Sequence, residues 1–149
     1  MIETGSPFPN FSLSDQDGKS WTLDDFKGQK VVVYFYPKDD TSGCTVEACE
    51  FRDALPNIPG VKVIGVSPDN IKSHKKFVDK FSLNFTLLAD PDHALCEATG
   101  VWVEKSMYGK KYMGVERTTF VLDEAGVIVK TFNKVKPQGH AAQVLAVLS

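Results

Sequence analysis

The longest hydrophobic run in the chain is Val31-Val32-Val33-Tyr34-Phe35-Tyr36, β-branched and aromatic throughout. Unbroken apolarity over that length predicts a strand covered on both faces, as at the centre of an α/β sheet. Pro37 ends it. Val61 to Val66 and the shorter Thr86-Leu87-Leu88-Ala89 predict two more strands. Between them the pattern is helical. Ser42 to Ala54 predicts a helix stopped before Pro56. Asn70 to Phe81 places Ile71, Phe77, Val78 and Phe81 on one helical face. His93 to Thr99 predicts a short helix ended by Gly100. Near the start, Phe11 to Ser14 and Trp21 to Leu23 flank Asp15-Gln16-Asp17-Gly18-Lys19, and Asp-Gly between short apolar runs predicts a hairpin. A helical turn from Asp24 to Lys27, closed by Gly28, follows it. Thr118 to Leu122 and Val127 to Phe132 predict strands around Asp123-Glu124-Ala125-Gly126. Gln138 to Leu148 predicts an amphipathic helix with Ala142, Leu145 and Leu148 on its apolar face. His74 and His140 read as solvated helix residues, and Lys110-Lys111 between Tyr108 and Tyr112 as a solvated turn.

This order predicts an α/β fold with a mixed central β-sheet, helices on both sides and an N-terminal β-hairpin. It is compatible with a thioredoxin-like fold and leaves flavodoxin-like arrangements open. A chain of 149 residues with 42% hydrophobic content fits a single domain over 1–149. A net charge of −2 argues against nucleic acid or an anionic membrane surface as partner. No apolar stretch approaches the ~20 residues of a membrane span. Met1-Ile2-Glu3-Thr4-Gly5 shows no basic region leading into an apolar run, so a cytoplasmic location is expected. Three cysteines are too few, and odd in number, for a disulfide-built scaffold.

The chemistry concentrates in Pro37-Lys38-Asp39-Asp40-Thr41-Ser42-Gly43-Cys44-Thr45-Val46-Glu47-Ala48-Cys49. Cys44 falls at a strand-to-helix junction, where free backbone N–H groups favour a thiolate. Asp39 and Asp40 lie just upstream and repel it, so a cation from elsewhere in the chain would help. Arg117, at a predicted strand start, is the best placed, and Arg52 less so. A thiolate attacking a peroxide needs donors for both oxygens as charge grows on the departing one. Thr41 offers a hydroxyl, Cys44 its own N–H and Arg117 a planar fork, while Pro37 has no N–H and shields sulfur from water. The sulfenic acid left behind can condense with a second thiol. In a straight helix Cys44 and Cys49 lie about 8.7 Å apart between Cα atoms, beyond the ~7 Å reach of a disulfide. If they pair, the helix must unwind locally. Cys96 reads as a packed core thiol. Tyr36, Trp102, Met107 and Met113 are weighed as the lining of an apolar entrance against a plain core role. A zinc site from Cys44-x4-Cys49 and His93-x2-Cys96 is the metal alternative, and it leaves Pro37, Thr41 and Arg117 without a role.

Those residues resemble the peroxiredoxins. Pro37, Thr41 and Cys44 match the family's Pro-x-x-x-Thr/Ser-x-x-Cys motif. The longer run Tyr36 to Cys49, together with Gly65-Val66-Ser67, Lys80 to Asp90, Tyr108-Gly109-Lys110-Lys111-Tyr112 and Glu116-Arg117-Thr118-Thr119-Phe120, is similar to the peroxiredoxin Q, or bacterioferritin comigratory protein, subfamily. The resemblance implies a thioredoxin-like fold and a thiol peroxidase acting on hydrogen peroxide and organic hydroperoxides. It implies Cys44 as the peroxidatic thiol, Thr41 and Arg117 as activating residues, Pro37 as the shield, Glu47 as the residue orienting the arginine and Cys49 as the resolving thiol. It also implies thioredoxin or a similar dithiol protein as reductant, a monomer, and no metal, haem or flavin cofactor. Ser42 departs from the proline many members carry there, which should loosen the helix entry. Over-oxidised relatives share a C-terminal Tyr-Phe extension not found after Leu148, so resistance to sulfinic acid formation is expected. The rival readings are a disulfide oxidoreductase of the same fold, which would usually carry Cys-x-x-Cys, and a redox- or zinc-responsive binding module.

Overall fold

The computed structural model describes residues 1–54 and 58–148. Strands β1 (Ser12–Asp15) and β2 (Ser20–Thr22) form the expected N-terminal hairpin, followed by a 3-10 turn, Leu23–Phe26. The hairpin turn is tied by Asp15, whose carboxylate accepts the N–H groups of Asp17 and Lys19 and the indole N–H of Trp21. Then come β3 (Lys30–Phe35), α1 (Ser42–Ala54), β4 (Val61–Ser67), α2 (Ile71–Phe81), β5 (Thr86–Ala89) and α3 (Ala94–Thr99). The chain continues through β6 (Trp102–Met107), β7 (Lys110–Val115), β8 (Thr118–Leu122), β9 (Ile128–Phe132) and α4 (His140–Leu148). The role given to Pro56 in stopping α1 lies outside the described residues.

Seven strands make one mixed sheet in the order β2-β1-β5-β4-β3-β8-β9. β3, β4 and β5 run parallel, joined by α1 and α2, while β8 pairs antiparallel with β3. The apolar run of β3 is at the centre because its alternate side chains feed two separate cores. Val31, Val33 and Phe35 pack with Phe8, Phe26, Cys96 and Phe120. Val32, Tyr34 and Tyr36 pack on the opposite face with Cys44, Phe51, Phe77 and Val144. Burial on both faces is why this strand shows no polar alternation.

Three expectations need correction. β6 and β7 form a separate antiparallel hairpin that the hydrophobic pattern did not announce. Most of its side chains are half-buried or exposed, so no apolar face marks it. Its signal is the turn: Tyr108 and Gly109 both have positive φ, as a two-residue hairpin loop of this kind requires. On α4 the buried positions are His140, Ala141 and Val144, whereas Ala142 is exposed and Leu145 only half-buried. The inward stripe begins at a polar residue, which a hydrophobicity pattern counts as outside. For the same reason His74 and His140 are not solvated: both are fully buried and hydrogen-bonded. Among the described residues, no helix is long and apolar enough to cross a membrane.

Candidate active site

The sheet register brings the distant pieces together. Phe35, at the end of β3, pairs with Thr118, at the start of β8. Arg117 therefore stands beside the carboxyl end of β3, where the chain turns through Pro37 to Thr41 into α1. Ligand sites of open α/β sheets form in this region, outside the carboxyl ends of parallel strands. The first backbone bond at the head of α1 runs from the Thr45 N–H to the Thr41 carbonyl. The N–H groups of Ser42, Gly43 and Cys44 thus point out of the helix end without intrahelical acceptors.

Cys44 is buried, and its Sγ accepts a hydrogen bond of 3.3 Å from Nη2 of Arg117. The other arm of the guanidinium, Nη1, donates to Oε1 of Glu47 at 2.7 Å. Glu47 lies one helical turn after Cys44, so both face the arginine from one side of α1. The guanidinium is largely enclosed, and Glu47 fully so. Burial raises the Glu47 carboxyl from its ordinary 4.5 to about 7, against the opposing pull of the Arg117 charge. Its second oxygen, Oε2, has no hydrogen-bond partner. Burial alone would lower the Arg117 pKa, but Glu47 and Cys44 together raise it above its ordinary value. Gly43 lies at the crossing: a Cβ there would stand 3.3 Å from Nη2 of Arg117 and 3.2 Å from Pro137, so a neighbour would have to give by a few tenths of an ångström.

Thr41 is exposed, and its hydroxyl donates to the Lys38 carbonyl at 2.9 Å, so its lone pairs remain open. Pro37 is half-buried at the strand end. Cys49 is half-buried on α1, which is intact between the two cysteines, and both thiols are free. Cys96 belongs to the core on the other side of the sheet. Its thiol is pushed well above its ordinary range by burial and then by Asp90. His93 is stacked flat on Trp102 with ring centroids 4.2 Å apart. The four proposed zinc ligands are therefore divided between the two faces of the sheet, and the zinc reading does not survive. Tyr36 is a core residue, while Met107 and Met113 project into solvent from the β6–β7 hairpin. Arg52 points away, to Asp53 and the Phe81 carbonyl.

Two features escaped the sequence reading. Lys105, on β6, has its pKa lowered by burial and by Arg117, and it also feels the charge of Cys44, which makes it a second cation near the thiol. Nothing in the local pattern singles it out. Asp39 is buried against Tyr36, Ser73 and His74. Its partner His74 falls at helical spacing with Phe77, Val78 and Phe81, but a polar residue there reads as surface in a hydrophobicity pattern.

Residues 4–131 match the AhpC/TSA family. The chain is similar to the putative peroxiredoxin bcp of Coxiella burnetii, at 52% identity over 146 residues and 97% of each chain. It is similar to the solved Xanthomonas campestris bacterioferritin comigratory protein, described for alkyl peroxide reduction, with 46% identity, a TM-score of 0.88 and coverage of 93% of this chain and 89% of that one. A Xylella fastidiosa PrxQ mutant superposes with a TM-score of 0.94 at 38% identity, over 99% of this chain and 96% of the other.

Proposed function

The chain belongs to the AhpC/TSA peroxiredoxin family and is a thiol peroxidase of its Bcp/peroxiredoxin Q branch, and from that premise we propose how its own residues carry the reaction. The observation that supports the reading most is the Arg117 fork, which holds the Cys44 sulfur with one arm and Glu47 with the other.

Cys44 attacks as the thiolate. An S–O bond forms as the peroxide O–O bond breaks, giving a sulfenic acid and an alkoxide or hydroxide that takes a proton to leave as alcohol or water. Arg117 and the N–H groups at the head of α1 carry the charge as it shifts from sulfur to oxygen. Thr41 supplies an oxygen to orient the bound peroxide, and Pro37 covers the sulfur without competing as a donor. Cys49 then displaces the sulfenic oxygen as water, forming the Cys44–Cys49 disulfide. That step requires α1 to open, because helical spacing holds the pair too far apart. Thioredoxin or a similar dithiol protein restores both thiols by exchange. Hydrogen peroxide and small organic hydroperoxides are the substrate class, in keeping with the alkyl peroxide reduction described for the Xanthomonas campestris relative.

The test is a rapid-quench reaction of reduced protein with one equivalent of hydrogen peroxide, followed by alkylation and peptide mapping. Fast loss of the Cys44 thiol, then a Cys44–Cys49 disulfide with Cys96 free, is the expected result. Oxidation spread evenly over the three cysteines at the rate of an ordinary thiol would overturn it.

A further inference from the structure

The loop entering α1 carries an apparent error. Asp39 is a buried carboxylate five residues before a sulfur that must be negative to react. The structure balances it. The Asp39 carboxylate accepts the Tyr36 hydroxyl at 2.5 Å on Oδ1 and the Ser73 hydroxyl at 2.8 Å on Oδ2. Nδ1 of His74 stands 2.7 Å from the same Oδ2. The far nitrogen, Nε2, lies 2.9 Å from the Leu88 carbonyl, which can only accept, so Nε2 carries a proton. With both hydroxyls donating to Asp39 and Nδ1 set against Oδ2, a proton must lie between ring and carboxyl, so the pair as a whole carries no net charge. Tyr36 remains a donor because burial, and then Asp39 itself, raises its pKa well above the ordinary value.

We propose that His74 is a positioning residue for the peroxide reaction: the proton it shares with Asp39 cancels the carboxylate charge in the loop that leads to Cys44, and the pair holds the Pro37–Thr41 loop in place. This rests on the peroxidase reading of Cys44. The groups facing the pair are Tyr36 just past the end of β3, Ser67 and Asp69 from the end of β4 and the turn after it, Ser73 from α2 and the Leu88 carbonyl from β5. Asp69 Oδ2 is already engaged by the Asp39 N–H and the Ser67 hydroxyl. One ligand atom from each of Asp39, Asp69 and His74 lies within 4.8 Å of the others, as metal ligands would. All three groups are held in the hydrogen bonds just given, which makes the cluster a clamp. Asp40, next in the chain, is neutralised separately by Lys80 at the surface. On the sulfur side, Arg117, Glu47 and Lys105 complete the charges near Cys44.

The loop is thus anchored on its upstream side to β3, β4 and α2. Beyond this anchor the chain bends at Asp40, whose φ is +57°.

The experiment measures the rate of peroxide reaction against pH for wild type, His74→Gln, Asp39→Asn and the double variant. Circular dichroism establishes that each is folded. His74→Gln leaves Asp39 uncompensated, and the midpoint should move up by about one pH unit, the order of effect of one nearby charge in an effective dielectric of about 20. Asp39→Asn keeps a neutral tie to His74 and should hold the wild-type midpoint. The double variant, with no charge on either side, should return to it. A lost contact with only a structural role would not be rescued by removing its partner. An unmoved midpoint in His74→Gln, or a double variant no better than His74→Gln, overturns the proposal. Should His74→Gln not fold, NMR of the wild-type His74 ring at neutral pH decides: a proton on Nε2 and a second, hydrogen-bonded proton between Nδ1 and Asp39 support the proposal, and an unprotonated Nδ1–Oδ2 contact refutes it. A wild-type Cys44 no faster than an ordinary thiol would instead be the failure of the peroxidase reading.

Discussion

Arg117 does two jobs at once, and they can be separated. One arm meets the sulfur and the other is fixed by Glu47. Lysine would keep the charge but not the fork. Arg117→Lys should lose about 10²–10³ in the rate of Cys44 oxidation, the usual effect of removing a preorganised donor, measured by stopped flow. Glu47 behaves differently. Its raised pKa means that the folded chain holds a proton, between about 4.5 and about 7, that the unfolded chain has released. This contribution to stability is therefore fully present below about 4.5 and is lost as pH rises through about 7. The proton can sit on the unpartnered Oε2 while Oε1 still accepts from Arg117. Glu47→Gln, neutral at every pH, should be spared that loss. Its stability relative to wild type should rise across the window by an amount on the order of 3 kcal/mol. Urea unfolding at several pH values checks this, and parallel curves for the two proteins would show that Glu47 does not titrate there.

In the proposed cycle, helix α1 must be firm enough to present Cys44 and loose enough to release it. Its entry is where the balance is set. The Ser42 N–H has no intrahelical acceptor, and its side chain is exposed, so proline fits there without breaking a bond. Ser42→Pro should stabilise the fold by about 0.4–1 kcal/mol through the unfolded chain. It should also slow disulfide formation while leaving the first oxidation unchanged, because only the second step needs the helix to open. Single-turnover kinetics with far-ultraviolet circular dichroism would follow both, and helicity should fall as the disulfide forms. Equal rates of disulfide formation in the two proteins would move the opening elsewhere in α1. The strand-to-helix junction and Cys44 were legible from the hydrophobic pattern, Arg117 from its place at a strand start, and Glu47 through the family resemblance. The Asp39–His74 pair was not, because polar groups inside a core look like surface in a hydrophobicity pattern. Lys105 sits on a hairpin whose strands lack an apolar face, so neither its strand nor its aim was legible before the fold was known.

At the scale of the molecule, the sheet acts as a partition. The alternation that makes β3 apolar on both sides also assigns the cysteines: Cys44 and the helix carrying Cys49 lie on one face, and Cys96 packs on the other. Cys96 has no solvent exposure. The Asp90 carboxylate accepts the amide N–H groups of Leu95 and Cys96, fixing α3 and setting a negative charge beside the thiol. Burial and that charge both keep the thiol protonated, which makes it a poor nucleophile. To reach Cys44 it would have to cross β3 and β4, which means global unfolding, not the opening of one helix. Cys96→Ala should therefore leave peroxide turnover and the Cys44–Cys49 disulfide unchanged, at a cost in stability of about 1 kcal/mol. The stronger form of the prediction uses Cys49→Ala. Without Cys49, a Cys44 sulfenic acid should persist, trapped by a sulfenic-acid reagent and seen by mass spectrometry, with Cys96 still alkylated as a free thiol after denaturation. An intramolecular Cys44–Cys96 disulfide in that variant would mean that the two faces of the sheet exchange partners during turnover, and the partition would have no part in choosing the resolving thiol.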